Sequence, residues 1–237
     1  MSVTVESLHE RGRTALLDGR ERLDVPPDDG SRRWGLSVLV RPQQELADRL
    51  DQVTGELVAL AGPGQWATGA SGTAHLTLYS LEPHRPGLTL ADPAAGRYAE
   101  AMARAAAATP PATFAVTGLG LTPGGVIAAC RPLDGGARAL RPELTAALGG
   151  DAFEAAYRGD QWWVSLLHLA APVAHAAELV AFVEARREAP LGTLDARRLE
   201  LVRYQHTEDP AGHRMVPVTL AEADLTGVRG AADGAQA

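Results

Sequence analysis

Apolar positions recur along this chain at two spacings, and the switches between them divide it into elements. Leu8, Ala15, Leu16 and Leu17 fall at helical intervals with charges between, which predicts a helix over 3–17 ended by Asp18-Gly19. A loop rich in Pro, Asp and Gly follows over 23–31. RWGLSVLVR, residues 33–41, is an apolar, β-branched run stopped by Pro42, and predicts a strand. Leu46, Leu50, Val53, Leu57 and Leu60 form one stripe of an amphipathic helix over 43–61, which Gly62-Pro63-Gly64 ends. A polar loop with Gln65 and Trp66 leads into TAHLTLYSL, residues 73–81, a buried strand carrying a histidine and a hydroxyl.

The second half repeats the alternation. An alanine-rich helix over 93–108 opens on Asp92 as N-cap and stops at Pro110-Pro111. Strands over 113–121 and 125–130 form a hairpin turning at Thr122-Pro123-Gly124. A helix over 137–148, a helical turn over 153–157, a strand in QWWVSLLHLAAP (161–172) and a helix over 174–187 follow. LDARRLELVRY, 194–204, reads as one strand, with HRMVPVTL, 213–220, as its antiparallel partner and a loop over 205–212 between them. His206, Glu208 and Asp209 in that loop fit no standard metal-ligand spacing and read as a solvated turn. These elements group as an N-terminal helix and loop (1–31) packed on the outside, one bilobal domain (32–225) and a disordered tail (226–237).

Composition narrows the chemistry. With 237 residues and 46% hydrophobic content, the chain is long enough for a substantial core. Its formal net charge is −7, and no basic patch suits a long nucleic-acid duplex, whereas a few arginines suffice for a small nucleotide. All 22 basic residues are arginine, which excludes Schiff-base and P-loop lysine chemistry. The single cysteine, Cys130, excludes an internal disulfide and a cysteine-based zinc site. No segment is apolar for long enough to span a membrane and no signal peptide is visible, so a cytoplasmic location is expected.

His75 and Thr77 are two residues apart, so a strand puts both side chains on one face, roughly 7 Å apart. An imidazole beside a hydroxyl holds a phosphate oxygen and moves a proton. HLTLYSL resembles the first signature of the two-histidine (2H) phosphoesterases, which include RNA 2′,3′-cyclic phosphodiesterases and 2′-5′ RNA ligases. DGSRRWGLSVLVRP, then a helix, then His-x-Thr, is similar to one branch of that superfamily. The resemblance implies an α+β (α/β) fold: two antiparallel-sheet lobes, about 32–90 and 111–170, with outer helices around a central cleft. The last strands cross over to complete a sheet.

The family carries two His-x-Thr/Ser strands, whose histidines divide proton removal and proton donation between them and whose hydroxyls hold the phosphate. It needs neither metal nor cofactor. The second motif falls on Trp163-Val164-Ser165: the serine is kept and the histidine is a tryptophan. An indole only donates a hydrogen bond, so cyclic phosphodiesterase activity is expected to be weak or altered. His75 and Thr77 are the expected catalytic residues, and Ser165, Trp163 and Tyr79 the expected substrate-binding ones. His168 lies five residues after Trp163 and, on a regular strand, points to the face opposite Ser165; only a bulge brings it into the cleft. His84 is expected in solvent. The implied partner is a small phosphorylated or nucleotide-like ligand; oligomeric state is not legible. Trp163 stacking a base, worth about 1–3 kcal/mol, fits instead a non-catalytic nucleotide-binding protein. A third reading makes His75 the sole acid or base of a different chemistry.

Overall fold

A computed structural model describes residues 4–149, 161–209 and 212–228. The expected helical turn over 153–157 and the tail beyond 228 lie outside the described residues. Five helices are seen among those described: α1 (Val5–Leu17), α2 (Gln44–Ala61), α3 (Pro93–Ala108), α4 (Gly135–Leu148) and α5 (Ala176–Glu184). They accompany eight strands: β1 (Ser37–Val40), β2 (Leu76–Ser80), β3 (Ala112–Thr122), β4 (Gly125–Pro132), β5 (Trp162–His168), β6 (Gly192–Ala196), β7 (Arg198–Asp209) and β8 (Gly212–Asp224).

All eight strands join one antiparallel sheet in the order β6-β3-β4-β5-β2-β1-β7-β8. The two lobes are its two four-stranded halves. They meet at β2 and β5, the two motif strands, through the Leu76↔Val164 pair. The run 194–204 is two strands rather than one: β6 pairs with β3 at one edge, and β7 pairs with β1 in the other half. That is the crossover. The stretch 205–209 extends β7 against β8 instead of forming the expected loop. Thr226 and Gly227 are tied down as well, their amides donating to the carbonyls of Ala106 and Thr109.

The main core lies on one face of the central strands. Val38, Val40, Leu76, Leu78, Val164 and Leu166 pack there with helix residues such as Leu50, Leu57, Leu140 and Leu144. A second cluster, Leu39, Trp66, Val202, Tyr204 and Met215, lies apart from it. Asp92 caps α3 as the sequence predicts, accepting from two first-turn amides, and α4 starts at Gly135, two residues before the expected 137, with Asp134 accepting from the Ala137 amide. Among the described residues no helix is long and apolar enough to cross a membrane.

Two bulges decide which residues face away from the main core. In β2, Leu39 pairs with Thr77 but Val38 pairs with Tyr79, so Leu78 is the extra residue. In β5, Ile127 pairs with Ser165 but Val126 pairs with Leu167, so Leu166 is the extra residue. Each bulge inverts the alternation that follows it.

Candidate functional site

A cleft of about 770 Å³ opens on the face of β2 and β5 away from the main core. His75, Thr77, Trp163 and Ser165 all line it. The Leu76↔Val164 register sets His75 across from Ser165 and Thr77 across from Trp163. Directly opposed strand residues have Cβ atoms roughly 4.5–5.5 Å apart, so the four form a compact square.

Tyr79 is not part of this square. The Leu78 bulge turns it into the main core, where its hydroxyl lies 2.7 Å from Thr145 Oγ1 on α4. Ser80 lines the cleft in its place, beside Ser37 of β1. The same inversion on β5 has the opposite consequence. His168, expected on the far face, is brought into the cleft by the Leu166 bulge. The main-chain groups of His168 and Trp66 exchange two hydrogen bonds of 3.0 Å, which fixes that end of β5.

Both imidazoles are held through Nδ1. His75 Nδ1 is 2.7 Å from the Thr73 carbonyl, which only accepts, so Nδ1 carries a proton. In the neutral ring, Nε2 then accepts from the Tyr204 hydroxyl at 2.9 Å. His168 Nδ1 is 2.8 Å from Asp24 Oδ2. Arg33 Nη2 donates to that same carboxylate oxygen at 2.7 Å and lies 3.1 Å from Nδ1. Burial pushes the His168 pKa below its ordinary 6.5, outweighing the upward pull of Asp24.

Asp24 comes from the N-terminal arm, which is more than an outer packing element. Its amide donates to Leu169 O at 2.6 Å, and the Arg22 amide donates to Pro123 O at 2.7 Å. Leu8 and Arg11 of α1 and Arg22 of the following loop line the cleft. Arg32 and Arg33 complete a set of four arginines there. Trp34 also lines the cleft with a left-handed backbone, φ 62°. Its ring lies 4.7 Å from that of His168 and 5.3 Å from that of Tyr204. His84 is buried rather than solvated, and its Nδ1 lies 3.0 Å from the Trp34 carbonyl. Arg32, Arg33 and Trp34 lie in the DGSRRWGLSVLVRP stretch that carried the resemblance, whereas Arg11, Arg22, Asp24 and Tyr204 gave no signal, because only the fold brings the N-terminal arm and β7 to the cleft.

No family model matches this chain, and no curated protein matches it. Solved structures do. TT0787 of Thermus thermophilus superposes with a TM-score of 0.57 at 19% identity, covering 82% of this chain and 99% of that one. E. coli LigT complexed with 3′-AMP superposes with a TM-score of 0.51 at 15% identity, covering 81% of this chain and 98% of that one. What the chain shares with both is an α+β fold over most of each chain's length.

Proposed function

We propose that this chain is a divergent 2H phosphoesterase-like protein whose cleft takes a small phosphorylated, nucleotide-like ligand and acts on its cyclic phosphate or phosphodiester. The observation that carries the reading is the square of His75, Thr77 and Ser165 with Trp163, set in a cleft lined by Arg11, Arg22, Arg32 and Arg33. A fold-related protein, E. coli LigT, is known in complex with 3′-AMP, which supports a nucleotide monophosphate as the ligand type.

The chemistry follows from the groups present. A water oxygen bonds to phosphorus while the bond from phosphorus to one ribose oxygen breaks. The water loses a proton and the departing oxygen gains one. The Thr73 carbonyl holds Nδ1–H of His75 in either protonation state, so Nε2 is the nitrogen that exchanges protons. For this step His75 starts as the imidazolium, protonated on both nitrogens, and its Nε2 proton goes to the departing oxygen once the ligand has taken the place of the Tyr204 hydroxyl at that nitrogen. The Thr77 and Ser165 hydroxyls donate to the phosphoryl oxygens, and the arginines offset their charge. Trp163 stands where the motif calls for the second proton carrier; the motif residues alone therefore leave one transfer unassisted, a deficit of roughly 10²–10⁴-fold.

Hydrolysis of 2′,3′-cyclic nucleotides tests this directly. The wild-type protein turns over the cyclic phosphate, and His75→Ala abolishes that turnover while the variant still folds. A binding protein without chemistry is the alternative that Trp163 favours, through its stacking surface. It is selected if 3′-AMP binds and no cyclic nucleotide is hydrolysed.

A further inference from the structure

The two motif strands are alike beyond their motifs. His75-Leu76-Thr77-Leu78-Tyr79-Ser80 and Trp163-Val164-Ser165-Leu166-Leu167-His168 each carry one extra residue at the fourth position, Leu78 and Leu166. The residue at the sixth position is thereby turned into the cleft in both. On β2 that residue is Ser80, and on β5 it is His168. The lobe that lacks the motif histidine therefore has another imidazole three residues past the motif serine, in the same cavity.

We infer that His168 is the second proton carrier of this cleft, the base that takes the proton from the attacking water, with Asp24 as its positioning residue. The inference rests on the phosphoesterase reading above. Asp24 is 4% exposed at its side chain, and its carboxylate, which only accepts, lies 2.8 Å from Nδ1 and so calls for Nδ1–H; Arg33 Nη2, 3.1 Å from that nitrogen, then donates to the Asp24 oxygen at 2.7 Å and not to the ring. That leaves Nε2 as the nitrogen available to the cleft, on a ring 16% exposed. The water's proton passes to His168 Nε2 as its oxygen bonds to phosphorus, and the departing ribose oxygen takes its proton from His75 Nε2. Both protons are accounted for, and return to the starting state needs only exchange with solvent.

The ionisation of His168 has the sense a base requires. Burial, Arg33 and Arg22 favour the neutral ring and Asp24 opposes them; these are the charged groups that surround it. A structural Asp–His pair that merely ties the N-terminal arm to β5 predicts no kinetic role for that ionisation.

The test is kinetic, on 2′,3′-cyclic AMP with the full chain. His168→Asn keeps a donor to Asp24 and removes the base. It is expected to lower kcat roughly 10²–10⁴-fold and to erase the acid limb of the kcat/KM profile, which in the wild type lies below pH 6.5. Asp24→Asn removes the carboxylate that raises the His168 pKa, so the limb moves to lower pH as the rate falls. Trp163→His adds less than tenfold, because the role is already filled. Should His168→Asn fail to fold, the wild-type protein still decides the matter: the acid limb coincides with the His168 imidazole titration followed by ¹⁵N NMR. Turnover within threefold of wild type in His168→Asn, or a limb that does not track His168, overturns the inference and leaves the phosphoesterase reading standing. No turnover by the wild type overturns both.

Discussion

Tyr204 and His75 are 129 residues apart in the chain, and one hydroxyl joins them in the cleft. The Tyr204 O–H donates to His75 Nε2 at 2.9 Å, and both side chains are nearly buried. Tyr204→Phe keeps the ring and its contact with Trp34 but deletes that bond. A cost of about 1 kcal/mol in urea unfolding is expected, with slower hydrolysis as the imidazole loses a tether at Nε2. An unchanged unfolding midpoint and unchanged kcat would show that Tyr204 contributes only volume. At this scale the sequence was half legible. Period-two parity put His75 and Thr77 on one face, and Trp163 and Ser165 on one face, because no bulge falls within either triplet. Tyr79 and His168 were misplaced because each lies just past a bulge. A bulge depends on the partner strand's register, and Leu78 and Leu166 look like ordinary core leucines.

Among the elements, α1 is the one whose role the periodicity understated. Its apolar spacing marks a helix with a buried face, but does not say that the face lies against β3 beside the cleft. Gly12 makes the contact possible: a Cβ there would meet Thr122 N and C at 2.7 Å, and both are backbone atoms that cannot swing aside. His9 lies one turn away and accepts from the Leu121 amide through Nδ1 at 3.3 Å. Gly12→Ala therefore forces the helix off the strand although alanine suits a helix better. The expected loss is about 1–3 kcal/mol of stability by thermal or urea melting. Affinity for 3′-AMP should fall too, because Leu8 and Arg11 move with the helix. A more stable Gly12→Ala variant, as helix propensity alone predicts, would mean that α1 does not pack this closely. The helix and strand order was otherwise readable from capping residues and Pro/Gly stops. The exception was 194–204, where a continuous apolar–polar pattern hid the break between β6 and β7, since both pieces are strands and only their partners differ.

Over the whole molecule, net charge and local charge point in opposite directions. The chain carries −7 overall, which by itself repels a nucleotide. The fold brings Arg11 and Arg22 from the N-terminal arm to Arg32 and Arg33 ahead of β1, and all four line the cleft. A low-dielectric wall behind clustered cations focuses the field at the opening, so an anion entering it responds to the arginines more than to the distant acidic surface. The Debye length is about 10 Å at 0.1 M salt, comparable to the reach of such a cleft, so part of that attraction is screened. Binding of 3′-AMP, followed by calorimetry, is therefore expected to weaken as salt rises from about 0.02 to about 0.3 M, over which the Debye length shrinks from roughly 20 Å to roughly 6 Å. Adenosine, which lacks the phosphate, should bind weakly and without salt dependence. Arg22 gives the sharpest variant: its guanidinium lies over the Gly124 turn, where a Cβ on that glycine would come within 2.7 Å of Nη2. A charge-assisted bond to phosphate is worth about 1.5–3 kcal/mol, so Arg22→Ala should raise the Kd for 3′-AMP roughly ten- to hundredfold and flatten the salt slope. Equal affinity for 3′-AMP and adenosine, or a salt slope unchanged in Arg22→Ala, would mean that the cleft selects its ligand by the base and sugar, with its arginines serving the fold.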